Sequence, residues 1–176
     1  MTVLAGMAIP MVHATRQHDA ARTAARLLAA RLQQARLEAA RRNVTVAVRF
    51  DPEDLDRFGL VADGDGDGVL ESDVTRGVDY PIGSASRLSD YVRDMGLRVN
   101  QDVPEPDAGG TIAAGSDPLR IGRSTVLSFS PIGSATSGTI YLAGRTGPQM
   151  AIRILGATGR MRVLRFDAAS RQWHED

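Results

Sequence analysis

Six consecutive residues, Asp63-Gly64-Asp65-Gly66-Asp67-Gly68, place three carboxylates at alternate positions with a glycine after each. This matches the first half of a calcium loop, D-x-D-x-D-G. Hard oxygen ligands at alternate positions wrap a Ca²⁺, and the last Gly permits the sharp turn. The second half departs from the pattern. The twelfth position counted from Asp63 is Val74 rather than a bidentate Glu, while Glu71 and Asp73 fall short of it by three residues and one. The candidate calcium set is therefore Asp63, Asp65, Asp67, Glu71 and Asp73, with Asp73 closing a variant loop. The competing reading is a solvated Asp/Gly turn without metal.

A second candidate is Gly159-Arg160-Met161-Arg162. Strand alternation puts Arg160 and Arg162 on one face, roughly 7 Å apart, where two guanidiniums could grip neighbouring phosphates of DNA. The alternatives are a solvated strand edge, or pairing with acids such as those of residues 51–79. Gly144-Arg145-Thr146-Gly147 resembles a phosphate cradle, but it has no Lys and no following helix, so it reads as a hairpin turn. Catalytic constellations are missing. His13, His18 and His174 have no ligand spacing, and no G-x-S-x-G, P-loop or G-x-G-x-x-G occurs. The chain offers binding chemistry and does not read as an enzyme.

These residues sit in 176 residues, enough for one ordinary domain with a core. Hydrophobic residues make up 43% and aromatics only 5%, so aliphatics must build that core. Absence of Cys excludes disulfides and thiolate metal sites. All 21 basic residues are Arg, which fits the codon usage of a GC-rich genome. Net charge is zero but segregated. Residues 1–43 carry seven Arg against two acids, residues 51–79 ten acids against two Arg, and residues 120–176 eight Arg against three acids. Segregation of this kind favours contact between unlike surfaces over general nucleic-acid binding.

The elements that must position these residues divide the chain into a helix, 1–43, and a β-rich globular domain, 44–176. Val3–Val12 is apolar but shorter than the roughly 20 residues that cross a bilayer. Ala14 to Arg42 contains no Gly or Pro and is rich in strong helix formers. Ala24, Leu28, Leu32, Ala35 and Ala39 line one face, Asn43 suits the helix end, and Pro10 predicts a kink or break. Val44–Phe50 alternates as a half-buried strand, and Arg57–Ala62 can pair with it. Tyr80–Leu97 is ambiguous, with a short helix expected around Ser86–Met95. Residues 101–119 read as a long surface loop. Val126–Phe129, Thr139–Ala143, Met150–Leu155 and Met161–Phe166 read as antiparallel strands between Gly-rich turns, with Trp173 capping the sheet from a short edge.

In this order the segments resemble a known family: type IV pilin-like proteins, and within them the minor pseudopilin H/FimT group. Val3-Leu4-Ala5-Gly6-Met7-Ala8-Ile9-Pro10 is similar to the latter half of a pilin's hydrophobic helix. The segment through Asn43 into Val44–Phe50 is similar to "ARSEAIRRN…V.V". Ser128-Phe129-Ser130-Pro131-Ile132-Gly133 resembles the "F.P.G" turn, and Gly159–Arg162 the "GR.R" motif. The family's prepilin peptidase site is not found, and about a dozen residues before Met1 would lengthen the stub to a full span. The resemblance implies an α+β fold, a long N-terminal helix packed on an antiparallel β-sandwich. It also implies a minor pseudopilin or type IV pilus subunit, held in the inner membrane with a periplasmic domain and partnered by other pseudopilins or pilins. In the FimT branch the "GR.R" region serves DNA uptake, which would transfer to Arg160 and Arg162. A secreted calcium-stabilised binding module is the further alternative.

Overall fold

The computed structural model describes residues 8–107, 109–122 and 124–176, with helix side chains from Thr15 onward. Most of the apolar stub, and the side chains of His13 and Ala14, lie outside the described residues. The expected helix is present as α1, Ala8–Arg42, and it continues through Pro10 without interruption. It ends where Asn43 takes a left-handed conformation, φ 57°, as Asn does readily at a helix C-terminus.

Ala24, Leu28, Leu32, Ala35 and Ala39 are all fully buried. Their steps of four, four, three and four residues build one stripe, and the small alanines let strands approach closely. Two antiparallel sheets share that stripe. The first is formed by β1 (Val46–Asp51), β2 (Asp54–Ala62), β3 (Tyr80–Arg87) and β8 (Val126–Phe129), in the order β3-β2-β1-β8. The second has the order β12-β11-β10-β9-β4, from Gln172–Glu175, Arg160–Asp167, Met150–Leu155, Gly138–Gly144 and Met95–Gly96, with β7 (Leu119–Arg120) also paired to β9. Val48 and Phe50 of β1, Phe129 of β8 and Ile140, Leu142, Ile152 and Ile154 of the second sheet meet α1 in one apolar cluster. Burial of each such aliphatic contributes on the order of 1.5–3 kcal/mol.

Three segments differ from expectation. β1 is buried on both faces rather than one, because residues 63–79 fold back over its outer side. Val69 and Val74 there pack with Ala47, Val61 and Val126. The segment expected to hold a helix near Ser86–Met95 begins as edge strand β3, paired with β2, and only Leu88–Asp90 makes a single 3-10 turn. Pairing with β2 overrides the local helix signal, and Gly83 at φ 75° lies in the stretch where the register shifts. Residues 101–119 are not simply surface loop. The small hairpin of β5 (Val103–Pro104) and β6 (Thr111–Ile112) buries Val103 and Ile112 on the outer face of the second sheet, against Tyr141, Ala151, Leu164 and Phe166. Trp173 completes this cover, as its position in the sequence suggested. Its ring centroid lies 5.3 Å from that of Phe166, and its Nε1–H donates to the Pro104 carbonyl at 2.7 Å.

Candidate functional site

The acidic loop leaves the end of β2 and is folded by its own carboxylates. Asp63 is buried, and its Oδ1 accepts the backbone N–H of Gly66 at 2.7 Å and of Asp65 at 3.2 Å, while Oδ2 accepts that of Gly68 at 3.0 Å. Such turns are what Asp favours. Gly66 and Gly68 have φ of 94° and 101°, which only Gly adopts freely. A Cβ on Gly64 would collide with the Val78 carbonyl.

The loop brings Asp63, Asp65 and Asp67 together, with one carboxylate oxygen from each within 4.8 Å of the others. Burial, and the neighbouring carboxylates of Asp65, Asp73 and Asp63, hold the Asp67 carboxyl above its ordinary range. Three hard oxygen donors so close suit Ca²⁺. A carboxylate offers about four lone-pair sites, so the three N–H bonds to Asp63 leave room for a metal.

The other two residues of the candidate set lie elsewhere. Both fall on a short helix, α2 (Glu71–Arg76), rather than on a continuing loop. Glu71 pairs with Arg49 of β1, whose guanidinium holds the Glu71 carboxyl below its usual range. Asp73 is buried and its carboxylate pairs with Arg76, although its charge still reaches Asp67. A buried acid outside the motif closes the structure instead. Asp79 accepts the Gly64 N–H at 3.0 Å and the Leu70 N–H at 2.9 Å, tying the loop's start to the residue before α2. No local pattern marks Asp79 in the sequence, because both donors come from the folded loop.

Arg160 and Arg162 lie in β11, two residues apart and therefore on one face, as alternation predicts. Arg162 sits opposite Arg153 of β10. Two like charges in that register repel. Asp107 answers both, 3.3 Å from Arg153 and 3.7 Å from Arg162, and Glu175 of β12 adds a bond to Arg162 at 3.2 Å. The acids that neutralise Arg162 are thus Asp107 and Glu175, not those of residues 51–79. Arg160 is exposed. Some arginines of α1 also find acids: Arg22 grips Asp176 at 2.6 Å and Arg41 grips Glu38 at 2.7 Å. Asp176 is thereby held below its usual range.

Among the described residues, no helix is long and apolar enough to cross a membrane. No curated protein and no solved structure matches the chain at a significant level. A family profile does match, that of the type II transport protein GspH, over residues 24–159. The matched span runs from the buried stripe of α1 through the first sheet and the β4, β7, β9 and β10 strands of the second to the turn before β11, and so contains the acidic loop but neither Arg160 nor Arg162. On a long helix sharing one core with two antiparallel sheets, and on a match covering most of its length, the chain belongs to the GspH family of type II transport proteins.

Proposed function

We propose that this chain is a minor pseudopilin, a structural subunit that packs beside other pseudopilins in the pseudopilus of a type II secretion system. Its apolar N-terminal segment would sit in the inner membrane and its domain in the periplasm. Its work is assembly, not catalysis. The observation that carries this reading is the relation of α1 to the domain. The buried stripe runs from Ala21 to Ala39, whereas the helix is already formed at Ala8, and Thr15 to Asp19 are exposed. A helix that runs roughly two turns beyond its first contact with the domain at Arg16 and Gln17, toward apolar Val3–Val12, has a surface to offer neighbouring subunits. Leu37, 61% exposed on α1, and Ile132, 92% exposed, add apolar surface with no partner in the described chain.

Because the chain has no cysteine, Leu37→Cys and Ile132→Cys each give a single thiol for cross-linking in cells. The expected result is cross-links to other pseudopilins, together with loss of type II secretion when the gene is deleted. Unimpaired secretion after deletion, with no cross-link from either position, would reject the role.

The acidic loop supports a second, compatible reading: Ca²⁺ binds Asp63, Asp65 and Asp67 and rigidifies the segment covering the first sheet. The convergence of the three carboxylates favours it. Melting temperature should rise with Ca²⁺ more than with Mg²⁺, which demands near-ideal octahedral geometry and gives up its waters reluctantly. A flat response through millimolar Ca²⁺ would remove the site. A DNA-uptake role through Arg160 and Arg162 has less support, since Arg162 already faces two carboxylates.

A further inference from the structure

The turn Gly144-Arg145-Thr146-Gly147 joins β9 to β10 and is no nucleotide cradle, yet it has a charged neighbourhood. Arg145 lines a cleft of about 460 Å³ with Arg16 of α1 and Arg93 of the segment between the 3-10 turn and β4. These three guanidiniums come from three separate elements. Among the described residues none of them forms an ion pair. Further along the same helix, Arg22, Arg26, Arg41 and Arg42 do, whereas Arg31 bonds Gln34 and Tyr91. One carboxylate, Asp94, lines the cleft against three cations.

The turn carrying Arg145 is fixed rather than loose. Gln17 Nε2 donates to Thr146 Oγ1 at 2.8 Å, joining helix to turn. Asn100 Nδ2 donates to the carbonyls of Gly147 at 3.2 Å and Gly144 at 3.4 Å. A Cβ on Gly147 would lie 3.1 Å from the Gln17 Cβ, and its φ of 99° disfavours other residues, so this Gly lets the turn close on the helix. A fixed turn keeps Arg145 beside Arg16 and Arg93 before a ligand arrives, which lowers the backbone part of the ordering cost of binding.

We propose that Arg16, Arg93 and Arg145 form a binding site for the phosphate of an anionic lipid headgroup. Guanidiniums match phosphate oxygens in charge and geometry. The lipid source follows from position in the chain. Arg16 comes four residues after the apolar segment Val3–Val12, so the cleft lies where the chain passes from apolar segment to domain. Basic residues next to an apolar segment are where anionic headgroups bind. The inference rests on the membrane part of the reading above, and adds a grip on the leaflet surface that would orient the domain before assembly.

The test is sedimentation of the 176-residue chain with vesicles of phosphatidylcholine alone or doped with phosphatidylglycerol. Wild type should prefer the doped vesicles by tenfold or more. Arg93→Ala/Arg145→Ala should lose most of that preference, at roughly fivefold per arginine, while its binding to neutral vesicles and its melting temperature hold. Asp94→Asn, which removes the one opposing charge, should sharpen the preference, and Arg160→Ala should leave it unchanged. A double variant with wild-type preference overturns the site. So does a chain that shows no preference for phosphatidylglycerol but is stabilised by inorganic phosphate, which would mean a soluble anion. The cysteine cross-links to other pseudopilins do not involve these arginines. A wild type that shows no preference for phosphatidylglycerol while cross-linking is intact therefore rejects the headgroup site alone, and absent cross-links with unimpaired secretion after deletion reject the subunit role alone.

Discussion

The two sheets face the same problem and cover their outer sides by opposite means. Over the first sheet lies the segment 63–79, which contributes only Val69 and Val74 to the apolar contact and is held by carboxylates accepting backbone N–H groups. Over the second lies the 99–112 segment with Trp173, held by Val99, Val103 and Ile112 against Tyr141 and Phe166. The apolar cover is indifferent to ions. The carboxylate cover gathers like charges, so its stability depends on what neutralises them. A cover of the second kind can respond to its surroundings, and one of the first kind cannot.

The largest expected effect is on the apolar cover. Phe166→Ala should cost about 3–5 kcal/mol in denaturant unfolding, by the same amount with and without Ca²⁺. A calcium-dependent cost would break the contrast. Next is Asp79→Ala, which strands the N–H groups of Gly64 and Leu70. A cost of about 2–3 kcal/mol is expected, together with loss of any calcium response because the loop's closure is gone. Third is the metal itself. At ten times its Kd, Ca²⁺ should stabilise wild type by about 1.4 kcal/mol, and Asp67→Asn should abolish this while leaving the second sheet's cover untouched.

The smallest effect is in pH. Burial and neighbouring carboxylates raise the Asp67 carboxyl above its ordinary 3.8. A raised carboxyl contributes stability that is fully present below 3.8 and lost as pH rises through its folded value. Without metal, Asp67→Asn should therefore be slightly more stable than wild type at pH 7, with the difference vanishing in acid. Calcium binding to wild type should weaken over the same window as protons compete for the ligand. Thermal melts of both proteins across pH, with and without chelator, read all of this. A wild type more stable than Asp67→Asn in chelator at pH 7 would mean that the carboxylates do not repel.

How much of this was legible in the sequence depends on the range of the interaction concerned. The stripe Ala24–Ala39, the helix end at Asn43 and the strands Val126–Phe129 and Met150–Leu155 are set by periodicity and turn residues within a few positions, and the structure has them where expected. The Asp/Gly run declared its turn, and its three aspartates do converge. The second half of that candidate site was not legible. Glu71 turns to Arg49, 22 residues away, Asp73 pairs with Arg76, and Asp79 rather than Asp73 clasps the start of the loop. Tyr80–Leu97 is ambiguous in sequence; its first part, Tyr80–Arg87, is a strand because β2 offers it an edge, and of the helix expected around Ser86–Met95 only the turn Leu88–Asp90 forms.

Sequence by itself determined the long helix and the main strands, the binary pattern of their core, the turn chemistry and, through ordered motifs, the family. These follow from side-chain period and backbone preference, which act locally. Tertiary structure alone decided which charges are spent and which remain. Arg162 and the helix arginine Arg22 meet acids brought to them by pairing across strands or from the chain's end, while Arg16, Arg93 and Arg145 are brought together with Asp94 beside them but no ion pair among the described residues. Counting charges along a chain gives their sum, but Coulomb attraction acts over a few ångströms in space, and only the fold sets those distances.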